Sequence, residues 1–327
     1  MSPISRRRTI ARACACGIVL CAAIDARAIE DVTTPRGIAL GNSMRSSATG
    51  ALGPMLNPAG MTLNHEYDVE LSYGYRFQDL GSSLYVGVVD SVTSKVSAAL
   101  YYEYVHSSPR FVLAPDTRND QALRSGSEVG LSLGLPVGER FSLGLTAKYV
   151  TVGTDTANPS WTAASPTSVP QRLLLDSTTS SASADGFTVD AGLILRLGDA
   201  VNVGVVGYNL VPLHSIEAPT SLGMGLSYSS GGDLVIAFDA VVDFGKYLDA
   251  KNNSLDTWVL GGGLEYIAGG KVPLRVGCYH DTGMPGTFLG FGLGYTTTGF
   301  GFDLGYRQKI QGGNDSTLMA GLHLSLQ

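Results

Sequence analysis

Beyond His65 the chain alternates apolar and polar residues with a period of two. The stretch 66–77 illustrates the pattern. One face carries Tyr67, Val69, Leu71, Tyr73, Tyr75 and Phe77, and the other carries Asp68, Glu70, Ser72, Gly74 and Arg76. Because successive side chains of a β-strand point to opposite sides, this stretch is predicted to be a strand with one apolar and one polar face.

The same alternation recurs in fourteen blocks, each about ten residues long, as in the strands of transmembrane barrels. An even number of antiparallel strands brings both ends of a barrel to the same side, as bacterial single-chain barrels require. The blocks are 66–77, 82–90, 94–105, 126–136, 140–152, 186–197, 201–210, 219–229, 233–244, 256–267, 272–281, 287–296, 299–310 and 316–326.

The connections between these blocks alternate in length. The set that begins after the second block is uniformly short, at 90–94, 136–139, 198–200, 229–232, 268–271 and 296–299. The other set includes two long segments, 106–124 and 153–185. Bacterial barrels join their strands by short periplasmic turns and longer outer loops, so the lengths support the strand count and predict that the first strand starts at the periplasmic side.

These patterns predict an all-β fold, a transmembrane antiparallel β-barrel of about 14 strands. Beyond residue 28 no apolar run approaches the roughly 18 residues that a spanning helix needs. In lipid, only helices and closed barrels satisfy every backbone hydrogen bond. A secreted sandwich or propeller is the alternative, but it would leave the apolar faces of these long strands exposed to water.

The N-terminus has the three parts of a secretory signal peptide. Arginines within the first twelve residues precede an apolar stretch at 13–23, and Ala26-Arg27-Ala28 supplies a small-x-small cleavage site. Residues 1–28 are therefore predicted to be a signal peptide that is removed after export.

The segment between the signal peptide and the first strand is predicted to be a hatch. Residues 29–65 form this N-terminal segment, and residues 66–327 form the barrel. Its central part, Pro35 to Met61, is rich in Gly, Ala and Ser, which suits backbone packed closely in a confined space. The hatch would start at the mouth of the barrel, and whether it enters the lumen or lies beneath it stays open.

Charge argues against a nucleic-acid partner. Only 15% of the 327 residues are charged. Cleavage after Ala28 removes five of the 22 basic residues and one of the 28 acidic residues, which leaves 17 against 27. Because an acidic surface repels a polyanion, nucleic acid is not expected as a partner. The barrel pattern predicts outer-membrane lipid as the surroundings.

The polar faces of the predicted strands place charges of both signs inside the barrel. Such charges can pair as a structural network, or some of them can line a path for a solute. The lumen-facing candidates are Glu70, Arg76, Glu103, Lys148, Asp190, Arg196, Asp239, Asp243, Glu265, Arg275, Asp303 and Arg307.

No catalytic residue, metal site or cofactor is predicted, and the chain is not expected to be an enzyme. The five histidines lack the spacing of a zinc site, and no Gly-x-Ser-x-Gly motif occurs. His280 and Asp281 are adjacent in a predicted strand, so they point to opposite faces. Cys278 is the only cysteine left after cleavage, and it is expected to be a small apolar strand residue.

Two groups of short motifs resemble the long-chain fatty-acid transporter family of outer-membrane barrels (FadL-type) and the related secretion-channel partners (PorV-type). The N-terminal group, Gly37-Ile38-Ala39-Leu40-Gly41 and Asn57-Pro58-Ala59, is similar to the hatch motif of that family. The later group is similar to its late hairpin and consists of Asp256-Thr257-Trp258, Gly263-Leu264-Glu265-Tyr266 and Leu274-Arg275-Val276-Gly277. The resemblance spans most of the mature chain.

The resemblance implies a hatch held near the first strand by Asn57, Pro58 and Ala59, and a small hydrophobic ligand that passes by passive diffusion under control of the hatch. Pro58 fixes one backbone angle and restricts Asn57 to extended conformations, so this pair forms a rigid elbow. Two other functions stay open. One is a non-transporting barrel that binds an envelope protein, as in secretion, and the other is a porin for polar solutes.

Cleavage after Ala28 can be tested directly. Sequencing the N-terminus of the membrane-bound protein is expected to give Ile29 as the first residue, because Ala26 and Ala28 are the small side chains that the cleavage site needs. An Ala28→Tyr variant is expected to keep the mass of the precursor. A membrane-bound protein that begins at Met1 would contradict the prediction.

Overall fold

The structure is a computed structural model and describes residues 34–77, 81–107, 121–157, 180–213, 218–248, 254–283 and 286–326. The predicted signal peptide lies outside these residues, so its cleavage stays a prediction. Among the residues described, no helix is long and apolar enough to cross a membrane.

Fourteen antiparallel strands form a closed barrel in which each strand pairs with its neighbours in chain order and the last pairs with the first. The strands are β1 (Tyr67–Arg76), β2 (Ser82–Asp90), β3 (Ser97–Ser107), β4 (Gln121–Val137), β5 (Phe141–Ala157), β6 (Ser180–Leu197), β7 (Val201–Tyr208), β8 (Thr220–Ser229), β9 (Leu234–Leu248), β10 (Ser254–Ala268), β11 (Val272–Asp281), β12 (Gly286–Thr296), β13 (Gly301–Gln311) and β14 (Ser316–Leu326). The predicted fold class is confirmed.

All fourteen predicted strands are present, but β4, β5 and β6 are up to six residues longer than predicted. Their added ends come from the segments predicted as long loops, and they pair with regular register, for example Gln121 with Ala157. Strand pairing needs only backbone groups, so these ends form strands without an apolar stripe to reveal them. The rest of the two loops, 108–120 and 158–179, lies outside the described residues.

The two faces of the barrel differ as the alternation predicts. Outward side chains are large and apolar, and Leu131, Leu260 and Phe187 are 54%, 55% and 75% exposed. Inward side chains are mostly buried and are largely small, polar or charged, with some large apolar ones such as Phe288 and Met319. We call the end of the barrel where β1 starts the near end, and the opposite end the far end.

The hatch (residues 34–65) lies inside the barrel. It consists of α1 (Pro35–Ala39), α2 (Gly53–Leu56) and two 3₁₀ turns (Gly50–Leu52 and Pro58–Thr62). Thr34 starts α1, because its hydroxyl accepts a hydrogen bond of 3.1 Å from the Gly37 amide and Pro35 occupies the first turn.

The hatch has an apolar core of its own, the hatch core, formed by Leu40, Met44, Ala48, Leu52 and Leu56. Each of these side chains is at most 2% exposed. A chain of this length has little room for a core, so its short helices depend on the surrounding wall to stay folded. The question left open by the sequence is answered, because the hatch enters the lumen.

Candidate functional site

The hatch backbone runs directly against glycines that face the lumen. A methyl group on Gly277 would lie 2.5 Å from the Gly41 nitrogen, and one on Gly263 would lie 2.9 Å from the Leu40 Cα. Real Cβ atoms do not approach other atoms so closely, so these positions admit only glycine while the hatch is seated. We call the residues that share this property the wall glycines, and they are Gly144, Gly204, Gly225, Gly261, Gly263, Gly277, Gly290 and Gly305.

The wall glycines trace the course of the hatch around the barrel. The hatch starts with Pro35 against Gly305 of β13 and passes β12 and β11 to reach β10 at Leu40. It then passes β8 and β7 near Arg45 and ends with Ala59 against Gly144 of β5. The hatch is therefore seated against most of the inner circumference.

Arg36 joins the first helix to the wall. Its Nε and Nη2 atoms donate to the two carboxylate oxygens of Glu265 in β10, at 3.1 and 2.8 Å. Arg275 donates to the same carboxylate at 2.5 Å and to Asp303 at 2.5 Å. His323 lies 3.5 Å from the second oxygen of Asp303. This chain of charges, which starts in the hatch, crosses β10, β11, β13 and β14.

Arg45 joins the middle of the hatch to the next part of the wall, at β7 and β9. Its amide and its Nη1 atom both donate to one oxygen of Asp239 in β9, at 2.9 and 3.0 Å. Its Nε atom donates to the Tyr208 hydroxyl at 2.9 Å, and that hydroxyl donates to the Leu56 carbonyl. Arg45 therefore connects β7, β9 and two parts of the hatch.

Both hatch arginines stay charged inside the barrel. Burial lowers the pKa of Arg36 and of Arg45, but the facing Glu265 in the first case, and Tyr208 and Asp239 in the second, outweigh burial. The pKa of each is thus raised above its ordinary value. A buried cation of this kind is stable only while its anionic partner is present.

Asn57 ties the elbow of the hatch to β6. Its side-chain nitrogen donates to the Arg45 carbonyl at 2.8 Å and to the Leu193 carbonyl at 3.3 Å. Its side-chain oxygen accepts from the Ala59 amide at 3.1 Å, which caps the 3₁₀ turn that starts at Pro58. All three residues of the triplet are buried. One amide group thus fixes the turn, the Arg45 region and the wall.

The end of the hatch is fixed to β1 and to the β4–β6 side. The Ala51 amide donates to the Asp68 carboxylate at 2.8 Å, and Thr62 donates to the Ser142 hydroxyl at 2.6 Å. Arg196 donates to the Thr62 carbonyl at 3.2 Å. These contacts hold residues 51–62 independently of both arginines.

Other charged residues lie in the lumen towards the far end. Lys148 pairs with Glu128 at 3.2 Å and with Asp190 at 2.9 Å, and Tyr101 donates to Glu128. These contacts join neighbouring strands, so they form a second charged cluster apart from the two hatch arginines.

Arg307 belongs to an aromatic group at the far end. It donates to the Tyr279 hydroxyl at 2.9 Å and to Thr317 at 3.2 Å. Its guanidinium lies 5.3 Å from the centre of the Phe288 ring, which stacks on Tyr279. This arrangement combines hydrogen bonds with a cation–π contact.

The sequence-predicted lumen residues fall into three groups. Asp239, Glu265 and Arg196 bind the hatch directly, and Arg275 and Asp303 act through Glu265. Lys148, Asp190 and Arg307 bind other wall residues. The remaining four are inward-facing, with Arg76, Glu103 and Asp243 buried and Glu70 accepting from Ser72 at 2.6 Å.

Sequence reasoning missed Arg36 and Arg45 as the hatch residues that bind the wall. They are the only charged residues in 34–62. Two isolated charges in a segment of small and apolar residues could have indicated that each needs an oppositely charged partner on the wall. It also missed Asp68, Glu128 and Tyr208, which complete the networks. His280 is exposed on the outer face, whereas Asp281 is buried on the inner face.

The wall glycines can be tested with a matched pair of substitutions. Gly277→Ala is expected to lower the free energy of unfolding by about 1–3 kcal/mol, because its methyl group would overlap the hatch backbone. Gly153→Ala in β5 is the control, since its methyl group would meet no atom closer than 3.5 Å. Denaturant unfolding midpoints check the difference. Equal midpoints for the two variants would refute the seating of the hatch.

Asn57 allows a second test. Asn57→Ala removes a donor and an acceptor from buried backbone groups, so it is expected to cost about 1–3 kcal/mol. Asn57→Asp keeps the acceptor for Ala59 but sets a carboxylate against the Arg45 and Leu193 carbonyls, so it is expected to be at least as unstable as Asn57→Ala. If Asn57→Asp matched the wild type in unfolding, the residue would serve only as a turn cap.

No protein-family model and no curated protein matches the chain. Among solved structures, the fold is similar to the monoaromatic hydrocarbon channel CymD, with 15% identity, a TM-score of 0.66, and coverage of 90% of this chain and 97% of that one. It is also similar to the toluene transporter TbuX of Ralstonia pickettii, with 14% identity, a TM-score of 0.67, and coverage of 91% and 99%. A Pseudomonas aeruginosa FadL homologue aligns with 12% identity, a TM-score of 0.68, and coverage of 90% and 98%. At these identities the likeness concerns the fold, and at that level it confirms the resemblance read from the sequence: the chain folds as a FadL-type barrel.

Proposed function

We propose that this chain is an outer-membrane barrel through which small hydrophobic compounds pass by passive diffusion, with the hatch controlling the passage. The observation that carries the proposal is the hatch, which is seated inside a barrel whose outer face is apolar. The similar folds described as hydrocarbon channels and transporters support it.

The outer face supports a location in a membrane. Large apolar side chains cover it, including Leu100, Leu145 and Leu304, which are 57%, 50% and 38% exposed. A soluble protein would expose this whole surface to water, whereas lipid covers it at no such cost. With the near end at the periplasm, the short turns face the periplasm and the long loops face outwards.

The inside of the barrel supports a hydrophobic rather than a polar solute. The hatch occupies the lumen, which argues against a porin with an open aqueous path. The charges that line the wall include several that are neutralised by partners, such as Glu265 by Arg36 and Lys148 by Asp190. The hatch core is an apolar site within the lumen, and a small hydrophobic compound would contact it only when the hatch shifts, because its side chains are buried while the hatch is seated.

A transport assay tests this proposal. Vesicles with a lipopolysaccharide outer leaflet are needed, because ordinary phospholipid bilayers pass apolar compounds unaided. The wild-type barrel is expected to speed the uptake of N-phenyl-1-naphthylamine and to exclude sucrose. A variant that lacks residues 40–59 is expected to admit sucrose, because removing the hatch opens the polar lumen.

The other functions give different results in the same assay. Sucrose flux through the wild type would identify a polar-solute porin and overturn the proposal. No flux of either probe, with repeated capture of one envelope protein by the intact barrel, would identify a non-transporting barrel. Circular dichroism and resistance to protease confirm in each case that the barrel is inserted.

A further inference from the structure

Among the described hatch residues, buried polar side-chain atoms without a hydrogen-bond partner are concentrated in one part. The side-chain oxygens of Asn42, Ser46 and Ser47 are buried and have no hydrogen-bond partner within the protein. No other described hatch residue has such an atom. On the wall, one oxygen of Asp239 is in the same condition. Buried polar groups are nearly always paired, so this part of the closed hatch is the least well satisfied.

Left-handed residues bound the same part of the hatch. Gly41 precedes it with a φ angle of 63°, Asn42 begins it with a φ angle of 56°, and Gly50 follows it with a φ angle of 58°. Segments that swing commonly turn about a few such terminal positions, which absorb the change in backbone angle. We call residues 42–49 the Arg45 loop.

The stretches on either side of the Arg45 loop are fixed by contacts of their own. Before it, Arg36 holds α1 to Glu265, and the wall glycines of β11 to β13 leave the helix no space to shift. After it, Asp68 holds the Ala51 amide and Ser142 holds Thr62. Of these residues, Arg36 also reaches the end of the Arg45 loop, through a hydrogen bond of 3.4 Å to the Thr49 hydroxyl.

Only a few polar contacts hold the Arg45 loop itself. Its wall carboxylate is Asp239, and both hydrogen bonds from Arg45 reach a single oxygen of that group. Tyr208 and Asn57 supply further bonds to Arg45 from outside the loop, and Arg45 also donates to the Asn42 carbonyl within it. Breaking the ion pair with Asp239 therefore removes the main attachment of the loop to β9.

We infer that the Arg45 loop is the moving part of the hatch and that the Arg45–Asp239 ion pair is its latch. When the pair opens, the loop swings about Gly41 and Gly50 away from β7, β8 and β9, while α1 and residues 51–62 stay seated. The unpartnered oxygens then reach water. This inference rests on the proposed function for what passes through the opening.

The hatch core explains how an apolar solute would favour the open position. Met44 and Ala48 belong to the Arg45 loop and pack on Leu40, Leu52 and Leu56. When the loop leaves, those three leucines lose their cover. A small hydrophobic compound would replace it, so it would bind the open form more tightly and shift the equilibrium towards it.

Hydrogen–deuterium exchange of the full-length mature protein in detergent tests the latch. In the wild type, amides of residues 42–49 are expected to exchange faster than those of α1 and of residues 51–62. Arg45→Gln is expected to raise exchange in the loop at least tenfold and to leave the two flanking stretches unchanged. Arg36→Gln is the matched control, because it removes the other ion pair of the hatch. It is expected to affect α1 and, within the loop, only Thr49, to which Arg36 also donates.

Two results would overturn the latch. One is equal protection of the loop and its flanks in the wild type, and the other is an increase throughout the hatch in Arg45→Gln, which would mean that the whole hatch loosens. Asp239→Asn breaks the same pair from the wall side and must reproduce the local effect. An uptake measurement separates this inference from the proposed function. If exchange rises only in the Arg45 loop but the protein does not take up N-phenyl-1-naphthylamine, the latch is supported and transport is rejected.

Discussion

A fourteen-strand barrel encloses more space than its inward side chains fill, and the rest of this structure depends on how that space is occupied. The hatch occupies it, and the wall makes room by placing glycines where the hatch backbone passes. Gly277 and Gly305 illustrate the arrangement, because neither could carry a side chain while the hatch is seated. Without the hatch, the space that these glycines leave along the wall would be an unfilled groove. The two parts of the sequence are therefore complementary in shape.

Besides this fit in shape, ion pairs fix the orientation of the hatch in the barrel. Each hatch arginine is buried, and a buried cation needs a partner. Glu265 and Asp239 lie on different strands, so the two ion pairs fix the hatch at two separated points and define its orientation. Lys148 and its two carboxylate partners form a group that does not involve the hatch, with one positive charge against two negative ones. The lumen is polar, yet these pairs present little net charge to a solute.

The strands were predictable because the physical signal for them is local. In a barrel strand every second residue faces lipid and is apolar. The residues between them face the lumen, so inward positions such as Glu265 could be predicted from the sequence. The extra length of β6 could not, because Ser180 and its neighbours pair through the backbone without an apolar stripe. The sequence also could not show which glycines contact the hatch. Gly262 and Gly263 are adjacent glycines in the sequence, yet Gly263 contacts the hatch and Gly262 packs on the outward Phe238 ring.

The partners of the hatch arginines depend on three-dimensional register rather than on local pattern. Arg36 and Glu265 are separated by 229 positions in the chain, and Arg45 and Asp239 by 194. No periodicity links residues so far apart. Asn57 was found from its motif, but its bond to the Arg45 carbonyl, which couples the elbow to the latch, appears only once the hatch is folded.

Shape and charge act over different distances, and the hatch uses both. A dispersion contact loses a quarter to a half of its energy when a gap of about 0.5–1 Å opens. The contact of Arg45 and Ser46 with the wall at Gly204 and Gly225 therefore fixes only the final position of the Arg45 loop. Attraction between opposite charges falls only as the inverse of distance, so Asp239 still attracts Arg45 after that contact is lost. A loop held by contact alone would open and have no force to guide its return. The ion pair supplies that force, which makes a local and reversible opening compatible with a closely fitted seal.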